Sequence, residues 1–549
     1  MKHFIPTLCI AGAFLGACTP QDTPMVIYQT DALTKVLSSD TSFVDKPDTL
    51  HVARGENATF QFVLTTDVDL TDLKAEVQGK ELGETKIGWV HEVYNTNPTH
   101  DADDMITTPD NYYPDPIIDD EKEDLLIDSH RILWVDIDIP HNTKPGLHRY
   151  KVAVSAELEG KRVCEKKDFY VQVYPVDLPK EQGLKVVNWY SRSDVRYLNG
   201  DEPLEIGSDR YLELLQLIAE TAAQYGQNCW LMAEKPTLKL NEDSTDFVLD
   251  FSFFDRAMDM LVKHGNLKYF CNSHFGGRFE GAEWKDGMAF YIDYVEDKEI
   301  KHAQVPYTDP RLKTFIQKYY SQIEEHFREK GWLGICYQHI ADEPDNMGTE
   351  SQQSWSAVAA MIKEAAPSLK TIDASFECID NQDVSVVLLG ENIESLPALP
   401  EGSERWMYTC TGPQGNYANR FVQLPLLKTR ILHWINFKYN EVGYLHWGYN
   451  YWQFSKDPLH DVTPSTQWPG GDCYIIYPAK DKVYPSIRLC AMREGIRDYD
   501  LLRMVEARDP KKACEFCNSI ILGPNKYDMD TQHFYSIRRQ MLEYLSSAE

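Results

Sequence analysis

The chain has 549 residues, 43% hydrophobic and 26% charged, a globular composition with length for two or three domains. Its formal net charge of −30 repels phosphate backbones, which excludes nucleic acid as a natural partner and suits neutral or cationic ligands. Aromatic residues reach 12%, with 12 Trp and 31 Tyr, and such rings serve as core and also stack on the apolar faces of sugars.

Lys2, the apolar stretch FIPTLCIAGAFLGA and Leu15-Gly16-Ala17-Cys18 follow the order of a targeting segment, read as a lipoprotein signal peptide over residues 1–17. The quartet resembles a bacterial lipobox, which implies a lipidated Cys18 at the mature N-terminus and a chain anchored to a bacterial membrane, periplasmic or at the cell surface. The alternative is a plain secretory signal with an incidental cysteine. The stretch is too short to span a bilayer, and no other uninterrupted apolar run approaches the ~20 residues of a spanning helix, so the membrane is reached by the lipid anchor only.

Residues 25–178 carry alternating apolar patterns and turn signals, as in NATFQFVLTT, HRILWVDIDIP, HNTKPGLHRYKVAVSAE and KKDFYVQVYPV, and predict a β-sandwich of short antiparallel strands. The acidic insertion DADDMITTPDNYYPDPIIDDEKEDLL lacks calcium-loop spacing and reads as a solvated loop overhanging a neighbouring site. The Pro-punctuated YPVDLPKEQG ends the domain.

From 184 to 505 strands alternate with amphipathic helices, the pattern of βα units on a parallel sheet. Eight strands are predicted: 184–190, 228–233, 267–272, 334–341, 370–376, 384–389, 405–410 and 443–449. Helical stretches such as DRYLELLQLIAETAAQYG and PRLKTFIQKYYSQIEEHFREKG separate most of them. The fold class expected is therefore an N-terminal β-sandwich followed by a (β/α)8 TIM-like barrel, complete or distorted, with its site at the C-terminal strand ends. Residues 506–549 read as a C-terminal helical tail. Among the 12 cysteines, Cys229, Cys271, Cys336 and Cys410 lie in strand-like runs, where free buried thiols are expected. Cys514 and Cys517 have CxxC spacing without a second pair and read as structural.

The fourth strand runs into GICYQHIADEPDNMG, which delivers Asp342 and Glu343 side by side to the catalytic face. Pro344 excludes Glu343 from the right-handed helical region and is expected to hold it extended. Two adjacent carboxylates in a water-poor site do not both ionise cheaply, so one keeps its proton near neutral pH. Consecutive side chains on a regular strand point oppositely, so their cooperation requires a bulge or turn. The other strand ends supply candidate sugar contacts: Trp189, Arg192, Asn272, His274, Tyr408, Trp447, Asn450 and Trp452, with Asp472 in the following loop. Each has a structural reading beside the functional one, a packed ring, a paired charge or a satisfied core hydrogen bond. No metal cluster, Gly-rich phosphate loop or Ser-His-Asp ordering stands out, so neither a cofactor nor a metal is expected.

HIADEP, GYLHWGYNYW, GDCYIIYP and SIRLCAMREGIRDYDLL, in that order, resemble glycoside hydrolase family 123, the β-N-acetylgalactosaminidases. One departure is Cys473, where the sequence reads GDC instead of GDG. The resemblance implies a glycan substrate and a retaining mechanism in which the substrate's 2-acetamido oxygen attacks the anomeric carbon through an oxazolinium intermediate. It also implies that Glu343 is the general acid and base and that Asp342 orients the acetamido group and stabilises the developing charge. The competing readings are a non-catalytic glycan-binding lipoprotein and a double-displacement glycosidase of another sugar specificity, the latter needing a second carboxylate such as Glu377 across the site.

Overall fold

The computed structural model describes residues 23–79, 83–278, 288–344, 349–375 and 379–547. The leader with Cys18, and Glu377, lie outside the described residues.

Ten strands fill the N-terminal region: β1 (Met25–Thr30), β2 (Leu50–Arg54), β3 (Glu56–Thr66), β4 (Leu70–Gly79), β5 (Thr85–Tyr94), β6 (Tyr112–Ile118), β7 (Glu123–Leu125), β8 (His130–Ile139), β9 (Gly146–Leu158) and β10 (Lys161–Asp177). They form two five-stranded sheets, ordered β1-β3-β8-β5-β6 and β2-β10-β9-β4-β7. Period-two alternation is plain in β10, where Phe169, Val171 and Val173 turn inward to one core shared with Phe60, Phe62, Leu133, Val152 and Val154. Two features depart from the short antiparallel strands expected. β9 and β10 run 13 and 17 residues, and β2 pairs with β10 in parallel. The acidic insertion is not all solvated loop either. It contains β6, whose Pro-Asp-Pro segment is buried because Asp115 accepts two hydrogen bonds from the Arg488 guanidinium at 2.8 and 2.7 Å.

Eight parallel strands form the barrel, in chain order Lys185–Asn188, Cys229–Met232, Tyr269–Asn272, Cys336–His339, Lys370–Ser375, Val384–Leu388, Glu404–Tyr408 and Gly443–His446. From the second onward each pairs with the next in sequence, and the first pairs with the eighth. Between the first and second strands side chains replace a ladder: Asn228 Oδ1 accepts from the Val186 N–H at 2.8 Å, and Gln227 Oε1 from the Asn188 N–H at 3.2 Å. The barrel is thus nearly closed. Val187, Leu231, Cys271, Tyr337, Ile372, Val386, Trp406 and Leu445 fill it, and Lys185 plugs the N-terminal end by donating to Glu404 at 2.6 Å and the Tyr337 hydroxyl at 2.9 Å.

The helices are α1 (Asp209–Gln224), α2 (Ser252–His264), α3 (Pro310–Lys330), α4 (Thr349–Ala365), α5 (Leu426–Arg430), α6 (Leu432–Lys438), α7 (Ile487–Arg508), α8 (Pro510–Ile520) and α9 (Thr531–Ser546). Sequence punctuation sets them, as α3 shows. Asp309 caps its first turn, Pro310 opens it where no N–H is needed, and Gly331 at φ 74° ends it in the left-handed region. α7 is buried nearly along its length, yet it is rich in charge. Arg493 forms a bidentate pair with Asp136 of β8 at 2.7 and 2.9 Å, and Asp498 is shared by Arg430 at 2.8 Å and Arg538 at 2.6 Å. These pairs weld the sheets, the barrel and the C-terminal segment together. That segment is not purely helical, because the strands Ile521–Gly523 and Lys526–Tyr527 form a hairpin between α8 and α9. No helix among the described residues is long and apolar enough to cross a membrane.

Candidate active site

The fourth barrel strand ends at His339, and the next two residues leave the ladder for a carboxylate. Asp373, inside the fifth strand, accepts through Oδ2 from the backbone N–H of Ile340 at 2.7 Å and Ala341 at 3.0 Å, and from Trp355 Nε1 at 2.7 Å. Its Oδ1 accepts from His339 Nδ1 at 2.7 Å, with His274 Nε2 at 3.4 Å. Burial works to raise Asp373, but the charges of and bonds from His339 and His274 hold it below the ordinary carboxylate range. An anion fixed there pulls the chain into a turn, so Asp342 and Glu343 follow as a bent pair and not as alternating strand residues. Glu343 itself sits at φ 44°, in the left-handed region that a side chain other than glycine's occupies only under constraint. Pro344 therefore keeps Glu343 out of the right-handed helix but does not leave it extended, because the turn overrides the extended alternative.

Burial raises the Asp342 carboxyl to about 7, with His274 opposing and the charges of Glu343 and Asp373 adding to the rise. Glu343 Oε1 accepts a 2.6 Å hydrogen bond from the Tyr408 hydroxyl at the end of the seventh strand. Burial and the Glu343 charge push that phenol far above its ordinary range, so it stays a neutral donor.

A pocket of about 210 Å³ opens beside the pair, lined by Trp189, Asp342, Glu343, Ala374, Tyr408, Cys410, Thr411, Leu445, Trp447 and Trp468. This is below the ~300–1,000 Å³ of drug-sized pockets and is room for one sugar ring. Trp447 and Trp468 meet edge to face with centroids 5.2 Å apart. Trp189 lies edge-on to His274 and His339, and its buried Nε1 has no hydrogen-bond partner among the described residues, which leaves a donor for a ligand.

Of the sequence-predicted residues, Asp342, Glu343, Trp189, Tyr408 and Trp447 are thus brought together around one cavity. His274 adjoins them from behind through Asp373. The others have structural roles. Trp452 is fully buried, with Nε1 bonded to the Ile476 carbonyl at 2.8 Å, because the chain after the eighth strand folds back into the core. Asn450, also buried, accepts from the Ser191 N–H at 2.7 Å and bridges two loops. Arg192 is exposed, 3.6 Å from Glu234, and Asn272 donates to Gln338 at 3.0 Å; neither lines the pocket. Asp472 lies one layer deeper, accepting from Trp447 Nε1 at 3.1 Å, and burial, opposed by Arg420, pushes it up to about 7. The Cys473 side chain is buried in the core, so the GDC departure leaves the pocket lining unchanged.

Sequence reading missed Asp373, His339, Thr411 and Trp468. The polar pair in YQHIAD and TIDAS was visible inside strand-like runs and is the signal that could have found the first two, whereas Trp468 sits in a long loop without periodicity. For metal binding, the ligand atoms of His274, His339 and Asp373 lie within 4.8 Å of one another, as do those of His91, Glu121 and Glu123. In the first group His339 already donates to Asp373, so the trio acts as a hydrogen-bonded network.

A family model described as "Glycoside hydrolase 123, catalytic domain" matches residues 215–505. The chain is similar in fold to a family 123 glycoside hydrolase from Clostridium perfringens, with a TM-score of 0.71 and 16% identity over 95% of this chain and 97% of that one. A GH20 exo β-N-acetylglucosaminidase from Vibrio harveyi overlaps far less well, with a TM-score of 0.22 and 10% identity over 74% of this chain and 86% of that one. Among curated proteins none matches.

Proposed function

Because the chain belongs to glycoside hydrolase family 123, we propose that this glycosidase releases β-linked N-acetylgalactosamine, or a related N-acetylhexosamine, from glycans with retention of configuration. The observation that carries this reading is the adjacency of Asp342 and Glu343 on one wall of a pocket sized for a single ring. A double-displacement enzyme sets its nucleophile and its acid on opposite faces of the sugar, ~5 Å apart, whereas two neighbouring carboxylates serve atoms on one side. The 2-acetamido oxygen then supplies the attack. Asp342 accepts the acetamido N–H and balances the positive charge as the oxazolinium ring forms. Glu343, steered by the Tyr408 hydroxyl, gives its proton to the leaving oxygen and takes one from the incoming water.

The sheets, which we read as a β-sandwich by their common core, brace the barrel from outside. The Clostridium perfringens enzyme acts on glycolipid glycans, which supports a glycoconjugate substrate for this chain. A lipidated Cys18 would place the enzyme at a bacterial membrane, and mass spectrometry of the mature N-terminus tests that placement.

The deciding experiment is turnover of 4-nitrophenyl β-glycosides with and without the 2-acetamido group, with the first-formed anomer followed by NMR. Activity confined to 2-acetamido substrates, retained configuration and competitive inhibition by a thiazoline mimic are expected. Inverted product, or equal turnover of a substrate lacking the acetamido group, defeats the mechanism.

A further inference from the structure

Two loops bring Thr411 and Trp468 to the pocket, and neither is held by the barrel alone. Both are hydrogen-bonded to one segment of the N-terminal region, residues 94–106, which runs on from β5 and turns at 102–105. On one side of this strap His100 accepts from the Gly415 N–H at 2.8 Å through its carbonyl, and its own N–H donates to Gln414 Oε1 at 2.8 Å. Asn416 exchanges two further bonds with Asp103, at 2.9 and 2.7 Å. On the other side Asn97 Nδ2 donates to the carbonyls of Pro464 at 3.1 Å and Thr466 at 2.6 Å, and the Asn97 carbonyl accepts from the Gly470 N–H at 3.2 Å. Trp468 lies between those two anchor points. Gly470 is fitted to the same contact, because a Cβ there would stand 2.2 Å from Asn95 Oδ1.

We propose that residues 94–106 form a strap that sets the pocket, and that Asn97 is a positioning residue that fixes the Trp468 ring against the bound sugar. The inference rests on the reading of the 210 Å³ cavity as the sugar subsite, and extends it by giving the N-terminal region a part in substrate binding. Three contacts to one seven-residue stretch hold a ring that the barrel scaffold leaves on a loop. Without them the backbone of 464–470 can shift and the ring loses its fixed distance to Trp447. The consequence falls on binding, since an indole transfers no proton here and the proton transfers remain with Asp342 and Glu343.

The test is a double-mutant cycle on the full chain, read with whichever 4-nitrophenyl β-glycoside the wild type turns over best. Asn97→Ala and the isosteric Asn97→Asp, which removes the donors without removing bulk, should each raise KM ~5–10-fold with kcat little changed, the size of losing one or two loop-fixing hydrogen bonds. Trp468→Ala should raise KM at least as much. The double variant Asn97→Ala, Trp468→Ala should be no worse than Trp468→Ala alone, because Asn97 acts through the ring. Additive effects, or Asn97 variants that lower only the melting temperature or only kcat, overturn the proposal while leaving the pocket intact. A Trp468→Ala variant with unchanged KM overturns the pocket reading beneath it.

Discussion

At the seam between the sheets and the barrel, Arg493 meets Asp136 and Arg488 meets Asp115, each guanidinium gripping both oxygens of a buried carboxylate. At the barrel mouth, Asp342 and Glu343 are neighbours of like charge, and the nearby Asp373 already serves other donors. Both places take carboxylates out of bulk water, wholly for Asp115 and Asp136 and in part for Asp342 and Glu343, and they differ above all in pairing. Asp498 in the seam lies below the ordinary carboxylate range despite burial because Arg430 and Arg538 outweigh it, while burial lifts Asp342 to about 7 with only partial opposition from His274 and Arg278. In the seam the charge is spent on holding parts together. At the mouth its cost is left in place, where the proposed mechanism needs a proton given and taken.

The comparison breaks if removing charge does the same thing in both regions. Arg493→Met strands Asp136 in the seam and should cost about 3–5 kcal/mol of stability, read as a large drop in melting temperature with unchanged specific activity of the folded fraction. Asp342→Asn should do the reverse. It removes one well-placed electrostatic stabiliser, lowering kcat/KM by ~10²–10³-fold, while the melting temperature holds or rises because a costly buried charge is gone. A stabilised Arg493→Met, or an Asp342→Asn that melts early and turns over normally, would show that the two carboxylate environments are alike.

Much of this contrast was legible beforehand, and what escaped has a physical reason. All eight barrel strands were marked by short β-branched and aromatic runs, and the acid pair by its position after the fourth, since strand periodicity and strand-end placement are local properties. The long β10 and its parallel partner β2 escaped because their pairing joins residues far apart in sequence. The sequence places Trp452 among the candidate sugar contacts, whereas it is core, because a Trp after a barrel strand looks the same whether its loop opens outward or, as here, folds back under Ile476. Asp115 looked like one of many loop acids, and only Arg488, in α7, makes it a buried pair. Asp373 is visible as a lone acid in an apolar strand, but the N–H donors of the turn before Asp342 that it holds come from the neighbouring strand and are far away in sequence.

A smaller effect sharpens the distinction among the rings at the mouth. Trp447 lines the pocket and is only half-buried, with Nε1 held by Asp472. Trp447→Ala should lower kcat/KM by about 1–3 kcal/mol, mostly through KM, with little change in melting temperature. A large stability loss instead would place Trp447 with Trp452 in the core.

The smallest effect is the pH dependence, and its sign follows from the raised carboxyl. Asp342 moves from an ordinary value of 3.8 to about 7, so between those limits the native chain binds a proton that the unfolded chain has released. Stability contributed by that proton is present at low pH and is lost as pH rises through about 7, which is opposite in sign to Asp498, whose carboxyl Arg430 and Arg538 hold below the ordinary range. The melting-temperature gap between Asp342→Asn and the wild type should therefore widen from pH 5 to pH 8. Activity follows the same titration. In the mechanism we propose, the competent pair holds one proton, which Glu343 delivers while Asp342 accepts the acetamido N–H, and the macroscopic value belongs to the pair and not to either residue. Loss of that proton gives kcat/KM a basic limb near pH 7, and in Asp342→Asn the limb should move away from 7 because the second charge is gone. A limb that stays at 7 in Asp342→Asn would assign the titration to another group, and a stability gap that narrows with pH would mean that Asp342 is charge-paired in solution as Asp498 is in the seam.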